Sequence, residues 1–369
     1  MADRAGQSAP GADVVIDIDG ARVQFDMDRG VARVLDDVDV RIRRKEIFGI
    51  VGESGSGKSM LASSMLDAVE EPGVLTGEVT YYPEPGGEGV SILDLSPEEL
   101  RRLRWEEIAM VFQGALDSFN PTLTVRQHFR ETLSAHGADR GAGMERAREL
   151  LSELYLDSEQ VLDAYPHELS GGMKQRALIA LALVLEPEVL VMDEPTGALD
   201  LLMQRSILSL IKKLQRRYDL TIVFVSHDLP LVANLADRIG VMYAFDLVEV
   251  GPAEDVIGDP RHPYTRALLK AVPNLQTPFD EMQTIGGESP DPVNVPEGCS
   301  YAPRCPLADG RCREREPPYE ALSDEHRAKC FYTEEAPDAV PLQFGVHGEE
   351  TGEITEPIDT VSTGEEGSE

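Results

Sequence analysis

Eight residues, GESGSGKS from Gly52 to Ser59, have the composition and spacing that bound phosphate groups require. The pattern is G-x-x-x-x-G-K-[ST], and it follows a short apolar run and opens a stretch of helical character, as a phosphate loop does. Glycines let backbone N–H groups surround phosphate, Lys58 adds a positive charge, and the Ser59 hydroxyl is placed for Mg²⁺. The sequence therefore predicts a nucleotide-binding loop.

Two other apolar runs end in polar residues suited to hydrolysis. In VLVMDEP, Asp193 and Glu194 follow a predicted strand, at the end where ligands bind in open α/β sheets. Asp193 is placed to hold Mg²⁺ through water, and Glu194 to polarise an attacking water. His227, in VSHD, ends a third strand and is expected to contact a γ-phosphate. Each feature alone is an ordinary polar strand end, but their combination with the phosphate loop favours catalysis.

A second candidate phosphate site lies in LSGGMKQR, more than a hundred residues after the first. Ser170, Gly171 and Gly172 open a predicted helix, whose first N–H groups and dipole both favour an anion. Gln113, in VFQGALDSFNP, is a weaker candidate, because a surface turn residue explains it equally well.

Around these residues the sequence alternates between predicted strands and predicted helices. Predicted strands are VVIDIDGARVQFDM, VLDDVDVRI, EIFGIV, EVLVMDEP and TIVFVSHD; predicted helices include KSMLASSMLDAV, MKQRALIALALVL and LLMQRSILSLIKKLQRRY. Such alternation indicates an α/β fold with a parallel sheet covered on both faces. The stretch from about 95 to 165 is expected to be mostly helical. Beyond Gly251 the sequence becomes Pro-rich and irregular.

The chain is strongly acidic, with 67 Asp and Glu against 34 Lys and Arg and a formal charge of −33. This charge repels nucleic acid, so no nucleic-acid partner is expected. We expect a halophilic origin, with a high-salt cytoplasm that screens the self-repulsion; an acidic mesophilic protein is the alternative. The polar N-terminus predicts no signal peptide, and the longest apolar run has nine residues, too short to cross a membrane.

Four cysteines fall within one window of 32 residues: Cys299, Cys305, Cys312 and Cys330. In a cytosolic chain, metal is a better explanation for them than disulfides. Their spacings, with five, six and seventeen intervening residues, are looser than those of common zinc motifs. Spacing alone leaves zinc, a [4Fe–4S] cluster and unmetallated thiols open.

The order of the motifs resembles that of the ATP-binding-cassette (ABC) ATPases. The resemblance covers roughly Val14 to Gly251 and includes the phosphate loop, a glutamine loop, LSGGMKQR, VLVMDEPTGALD and the Ser-His pair. It implies an α/β, ABC-type P-loop ATPase domain, in which a parallel sheet core carries antiparallel β and helical subdomains. It also implies ATP hydrolysis with Mg²⁺ and two nucleotide domains that meet head to tail around two ATP molecules.

The resemblance further implies a role for each matching residue. Ser170, Gly171, Gly172 and Asp200 would serve the ATP held by the partner subunit. The implied catalytic residues are Glu194, His227 and Lys58, and the implied Mg²⁺ ligands are Ser59, Gln113 and Asp193. The implied contacts to the chain's own ATP are Gly52, Glu53, Ser54, Gly55, Ser56, Gly57, Lys58, Ser59, Met60 and Gln113.

Further segments resemble the oligopeptide, dipeptide and nickel permease branch of this family: YPHELSGGMKQR, FQGALDSFNPTLTV, RHPYTRALLKAVP and GCSYAPRCPLADGRC. This branch implies an ATPase that powers a membrane importer of short peptides, with nickel or oligosaccharide as other cargoes and a soluble, non-transport ABC ATPase as the rival. The implied partners are a second, paralogous ATPase subunit, two permease subunits and, indirectly, an extracellular solute-binding protein. The chain would lie peripherally on the cytoplasmic face of the membrane. For the four cysteines the branch favours [4Fe–4S] over zinc.

The sequence divides into five predicted segments. A flexible N-terminus over residues 1–13 precedes the ATPase domain at 14–250, which includes a helical subdomain at about 95–185. A C-terminal extension of the oligopeptide/dipeptide-transporter type spans 251–333 and contains the cysteines. Residues 334–369 carry eleven acidic residues and no Lys or Arg, and we expect this tail to be disordered.

Overall fold

Two β-sheets and the helices around them form the part of the chain that the structure, a computed structural model, describes: residues 11–112, 114, 118–197, 199–271 and 285–342. The strands are β1 (Val14–Met27), β2 (Gly30–Arg43), β3 (Ile47–Val51), β4 (Val74–Tyr81), β5 (Val90–Ser91), β6 (Ile108–Val111), β7 (Val189–Asp193), β8 (Thr221–Ser226), β9 (Arg238–Tyr243), β10 (Asp246–Pro252), β11 (Tyr319–Ala321) and β12 (Arg327–Lys329). The α-helices are α1 (Lys58–Ser64), α2 (Pro97–Arg102), α3 (Val125–Ala135), α4 (Arg140–Glu153), α5 (Ser158–Asp163), α6 (Gly171–Ala182), α7 (Leu201–Tyr218), α8 (Leu229–Ala233), α9 (Ala253–Gly258), α10 (Pro263–Lys270), α11 (Gly310–Glu314) and α12 (Ala336–Ala339). Three predictions concern residues outside these ranges: Gln113, most of the N-terminal segment and the part of the 334–369 tail from residue 343 onward. Within that tail the expectation of disorder is wrong for residues 336–340, because α12 forms there and the carbonyl of Val340 accepts a hydrogen bond from the buried Arg266 side chain.

The larger sheet has the order β11-β12-β10-β9-β3-β8-β7-β6, and its strands from β9 to β6 are parallel. Val51 pairs with Ser226, and Asp193 pairs with Val225. The carboxyl ends of β3, β7 and β8 therefore meet at one edge of the sheet. The predicted α/β fold with a parallel core is confirmed.

The parallel strands are buried on both faces, which explains their unbroken apolar sequences. In β3, Phe48 and Ile50 enter a core shared with the smaller sheet, whereas Ile47 and Val51 enter a core shared with the helices. Strands β7 and β8 alternate in the same way. The sheet is thus packed between two apolar layers, and this packing fixes the positions of the residues at its edge.

The smaller sheet is antiparallel, in the order β2-β1-β4-β5. Its two long strands match the predicted strands at the start of the chain, and their buried side chains, such as Ile16 and Val40, cover one face of the parallel sheet. Antiparallel β structure is therefore present beside the parallel core, as the family resemblance implied.

Two elements differ from their sequence patterns. Helix α1 ends at Ser64, because Met65 begins a series of turns and Asp67 has a positive φ of 48°. The segment expected to be mostly helical contains β6, four buried residues of sequence IAMV, which pairs with β7. Periodicity cannot separate so short an apolar run from a turn of buried helix.

The C-terminal extension is more regular than its composition predicts. Strands β11 and β12 form a hairpin that joins the larger sheet, with Glu249 opposite Ala328 and Val250 opposite Arg327. The buried Glu249 carboxylate also accepts hydrogen bonds from the backbone N–H groups of Arg261 and His262. The extension therefore shares a sheet and a core with the ATPase domain.

Among the helices of the described ranges, none combines the length and apolar character that a bilayer-spanning segment needs.

Candidate active site

The phosphate loop connects β3 to α1 in a conformation that its glycines make possible. Gly57, with φ of 103°, caps the N-terminus of α1. A Cβ atom at Gly52 would lie 2.2 Å from the carbonyl oxygen of Met242, and one at Gly57 would lie 2.6 Å from that of Val34. Side chains are therefore excluded at both positions, and the loop can stay tight enough to present its N–H groups.

Lys58 is buried beneath this loop, with its ammonium group held by the loop backbone. Its Nζ donates hydrogen bonds to the carbonyl oxygens of Gly52, at 3.0 Å, and Glu53, at 2.8 Å. Burial lowers the pKa of Lys58, and the carboxylates of Glu194 and Asp193 act in the opposite direction. A cation in this position can add one charge to the N–H groups that surround a phosphate.

Asp193, the last residue of β7, is the best candidate ligand for Mg²⁺. Its carboxyl is buried and hydrogen-bonded to the Ser59 hydroxyl, and burial raises its pKa above the ordinary value. Its Oδ1 atom has no hydrogen-bond partner. An unpartnered, buried carboxylate oxygen beside a hydroxyl is a donor set that fits Mg²⁺, which prefers oxygen ligands. Gln113, the third predicted ligand, lies outside the described residues.

Glu194 and His227 face each other at the same sheet edge. The Nδ1 atom of His227 lies 3.0 Å from Oε1 of Glu194. The Glu194 backbone has a positive φ of 45° and donates a hydrogen bond to the carbonyl of Val225, so the chain turns sharply as it leaves β7. The glutamate side chain is 18% exposed and the histidine side chain 59%. The structure thus brings together the two residues predicted to act on water and γ-phosphate.

The LSGGMKQR segment forms the start of α6, as predicted, with Ser170 as its N-cap. Asp200 caps α7 by accepting hydrogen bonds from the N–H groups of Leu202 and Met203. The two helix starts are neighbours, because a Cβ atom at Gly172 would lie 2.1 Å from Cε of Met203. Among the described residues, no hydrogen bond connects Ser170 or the two glycines that follow it to the phosphate loop.

The four cysteines meet around one small cavity, which His262 and Tyr301 also line. All four are free thiols, and burial raises the pKa of Cys299 to about 11 and that of Cys330 to about 12. No three His, Cys, Asp or Glu side chains within the described ranges are arranged to hold a metal ion. The donors are therefore gathered in one place without forming a compact ligand set.

Two contacts between the phosphate loop and the C-terminal extension were not predictable from the sequence. The hydroxyl of Tyr264, in α10, accepts a hydrogen bond from the Glu53 backbone N–H, at 3.0 Å. The guanidinium of Arg304 pairs with the Glu53 side chain. These partners are 211 and 251 residues apart, so no local pattern could have indicated either contact.

Comparison with known proteins gives matches to both parts of the chain. The ABC transporter family matches residues 35–197, and the family described as oligopeptide/dipeptide transporter, C-terminal region, matches residues 248–312. The dipeptide transport ATP-binding protein DppD of Caldanaerobacter subterraneus is 38% identical over 325 residues, which cover 87% of this chain and 98% of the relative. The oligopeptide transport ATP-binding protein OppD of Salmonella typhimurium is 38% identical over 333 residues, covering 90% of this chain and 97% of the relative.

Solved structures agree with these matches. The dimeric structure of the bacterial ABC transporter cassette MJ0796 is similar with a TM-score of 0.56 and 30% identity, covering 64% of this chain and 98% of that one. The cassette cbiO1 of Clostridium perfringens, part of the transporter complex cbiONQ, gives a TM-score of 0.56 at 26% identity over 67% of this chain and 92% of that one.

Proposed function

Because this chain belongs to the ABC transporter ATP-binding proteins of the dipeptide and oligopeptide family, we propose that it is the ATP-hydrolysing subunit that powers a membrane importer of short peptides. The observation that carries this proposal is the extent of the similarity. It continues past the ATPase domain into the extension at 248–312, which ATP hydrolysis alone does not explain.

The geometry at the sheet edge supports a specific role for each of these residues in ATP hydrolysis. Lys58 and the loop N–H groups bind the phosphates, and Glu194 takes a proton from the attacking water. His227, 3.0 Å from Glu194, orients that carboxylate and contacts the γ-phosphate. The Mg²⁺ ligands that we propose are Ser59, Asp193 and Gln113, and bound Mg²⁺ supplies charge neutralisation for the phosphates.

The second candidate phosphate site is proposed to serve the ATP of a partner ATPase subunit. Ser170, Gly171 and Gly172 begin α6 without any hydrogen bond, among the described residues, to the chain's own loop. Beside Asp200, the side chains of Leu201 and Leu202 are 75% and 79% exposed, as expected of a surface that another subunit covers. The partner that we propose is a paralogue of this chain.

Hydrolysis is tested with Glu194→Gln. We expect ATP to bind as tightly as in the wild type, while the turnover rate falls by at least about 100-fold, because the carboxamide cannot accept the proton. Glu131→Gln, which changes an exposed carboxylate on α3, is the matched control and should keep the wild-type rate. A wild-type rate in Glu194→Gln would show that another group is the base.

The transport proposal is tested by purifying the tagged chain from its own cells in mild detergent. We expect two permease subunits and a second ATPase subunit to co-purify, consistent with a peripheral position on the cytoplasmic face of the membrane. Reconstituted in liposomes with the associated solute-binding protein, the complex should take up short peptides when ATP is supplied. Uptake of nickel or oligosaccharide instead would refute the cargo, and a complex without membrane subunits would indicate a soluble ABC ATPase.

For the four cysteines we propose a [4Fe–4S] cluster. Four thiols on one cavity are the donors that such a cluster takes in number and kind. Zinc, the alternative, would draw all its sulfurs to within about 2.3 Å of one ion. The four thiolates of a cluster bind four different iron atoms and need not converge so closely.

Anaerobic purification followed by visible absorption and metal analysis tests the cluster. We expect a brown protein that contains iron and little zinc, and we expect Cys312→Ser to lose colour and iron. A colourless, iron-free wild-type protein would refute the cluster, and one zinc ion per chain would support the alternative.

A further inference from the structure

Arg304 belongs to the extension, between Cys299 and Cys305, yet its side chain reaches into the ATPase domain. Its guanidinium forms a bidentate ion pair with Glu53, in which Nη1 lies 2.9 Å from Oε2 and Nη2 lies 3.0 Å from Oε1. Glu53 is the second residue of the phosphate loop. Only 6% of the arginine side chain is exposed, so water screens this pair weakly.

Every N–H group of the Arg304 guanidinium has a partner. Besides Glu53, Nε donates to the carbonyl of Gly286 at 2.7 Å, Nη2 to that of Ile285 at 3.2 Å, and Nη1 to the Tyr243 hydroxyl at 3.3 Å. The guanidinium also lies 5.6 Å from the centre of the Tyr243 ring. A planar donor with five partners has one orientation, so Arg304 holds the Glu53 carboxylate at a fixed place.

The Glu53 carboxylate needs such a partner, because it lies in a loop that must bind a polyanion. Burial alone would raise the pKa of Glu53, but hydrogen bonds from Arg304 and Ser289 outweigh it and the pKa is lowered. The side chain therefore stays ionised. Its charge also acts on Lys58, the cation of the same loop. Without a compensating cation, this carboxylate would repel the phosphates of ATP.

The backbone of Glu53 is fixed as well. Its carbonyl oxygen accepts a hydrogen bond from the Lys58 ammonium, and its N–H donates one to the Tyr264 hydroxyl. The Glu53 backbone is therefore held by Lys58 and Tyr264, and its side chain by Arg304.

We propose that Arg304 is a positioning residue of the nucleotide site, which neutralises Glu53 and keeps the phosphate loop ready for ATP. The extension is then a working part of the ATP site in addition to any role for its cysteines. This inference rests on the proposed ATP binding by the loop and is independent of the cargo.

The test measures the Kd of Mg-ATP and the ATPase rate for the full chain carrying Arg304→Gln, Glu53→Gln or both. We expect Arg304→Gln to weaken ATP binding by about 10- to 30-fold, because one uncompensated charge then faces the phosphates, while kcat changes by less than about threefold. Glu53→Gln should bind ATP at least as tightly as the wild type. The double variant should regain the affinity of Glu53→Gln to within about threefold.

Two further variants separate charge from packing. Arg304→Lys keeps the charge but loses the fork, so its affinity should lie between those of the wild type and Arg304→Gln. Arg313→Gln removes an exposed arginine of the same extension and should bind ATP as the wild type does.

Two outcomes would overturn the proposal. In the first, Arg304→Gln binds ATP with wild-type affinity. In the second, the loss of ATP affinity persists in the double variant, and Arg304 is then a structural support only. If Arg304→Gln fails to fold, Glu53→Gln still decides, because weaker binding by that variant would mean that the carboxylate helps ATP to bind. Failure of the proposed function would look different, since the wild-type chain would then not bind ATP or its complex would not import peptides.

Discussion

Glu46 and Arg238 form an ion pair at the amino-terminal ends of β3 and β9, two neighbouring parallel strands. The phosphate loop follows the other end of β3. Glu46, just before β3, is 7% exposed, and Nη1 of Arg238 lies 3.0 Å and 3.2 Å from its two carboxylate oxygens. The backbone N–H of Arg43 also donates to this carboxylate, at 2.7 Å. Arg238→Met would remove this cation and leave the buried carboxylate, among the described residues, with the Arg43 N–H as its hydrogen-bond donor.

The expected loss follows from the burial of the pair. Removing one partner of a buried ion pair costs about 3–5 kcal/mol, because the remaining charge has lost both water and its counter-ion. Methionine keeps much of the aliphatic stem of Arg238 and loses the guanidinium that lies 5.4 Å from the centre of the Phe48 ring, so the change in packing is small beside the loss of the ion pair. Since Glu46 can also escape part of the penalty by protonation, we expect a loss of about 3 kcal/mol in the free energy of unfolding at pH 8.

The loss should depend on pH with a definite sign. Burial raises the pKa of Glu46 in the folded protein even with Arg238 present, and removal of the arginine raises it further. A raised folded-state pKa destabilises the protein above the ordinary glutamate pKa, and the penalty shrinks as the pH falls toward that value. The difference between the wild type and Arg238→Met should therefore narrow from pH 8 to pH 5.

Urea unfolding at the two pH values measures this effect. The double variant Glu46→Gln with Arg238→Met should be more stable than Arg238→Met alone, because no charge remains buried and the amide oxygen can still accept from Arg43. Lys45→Met is the matched control, since its pair with Asp219 is exposed and its loss should cost less than about 1 kcal/mol. A loss below about 1 kcal/mol in Arg238→Met at pH 8, or a double variant no more stable than the single one, would refute the reasoning.

Three further predictions concern the site, the core and the charge. Asp193→Asn should lower the ATPase rate by at least about 100-fold and raise the Mg²⁺ concentration needed for half-maximal phosphate release; an unchanged Mg²⁺ titration would exclude Asp193 as a ligand. Gly49→Ala should destabilise the chain by about 1–3 kcal/mol in urea, because its Cβ atom would lie 2.2 Å from Cγ1 of Val232, whereas Gly258→Ala, with open space around it, should not. Molar KCl should raise the unfolding free energy above its low-salt value by screening the charge of −33, and equal stability in both salts would count against a high-salt origin.

Features whose chemistry is local could be predicted from the sequence. The phosphate loop needs only a strand, a tight turn and a helix in succession, so GESGSGKS identified it and its glycines occupy the expected conformations. The position of Asp193 and Glu194 at the end of a buried parallel strand was predictable for the same reason, and that end is the part of a sheet where ligands bind.

The contacts that support these local features depend on the tertiary structure. Strand β6 was hidden in a largely helical stretch, and β12 joins β10 although 77 residues separate His326 from the Glu249 carboxylate that it contacts. The pairing of Arg304 with Glu53 spans 251 residues and depends on where the hairpin of the extension places that segment. Sequence spacing reports only which residues are neighbours along the chain. Contacts between residues far apart in the chain arise when distant segments join one sheet. The order of the strands in that sheet is selected by the free energy of burying the whole core.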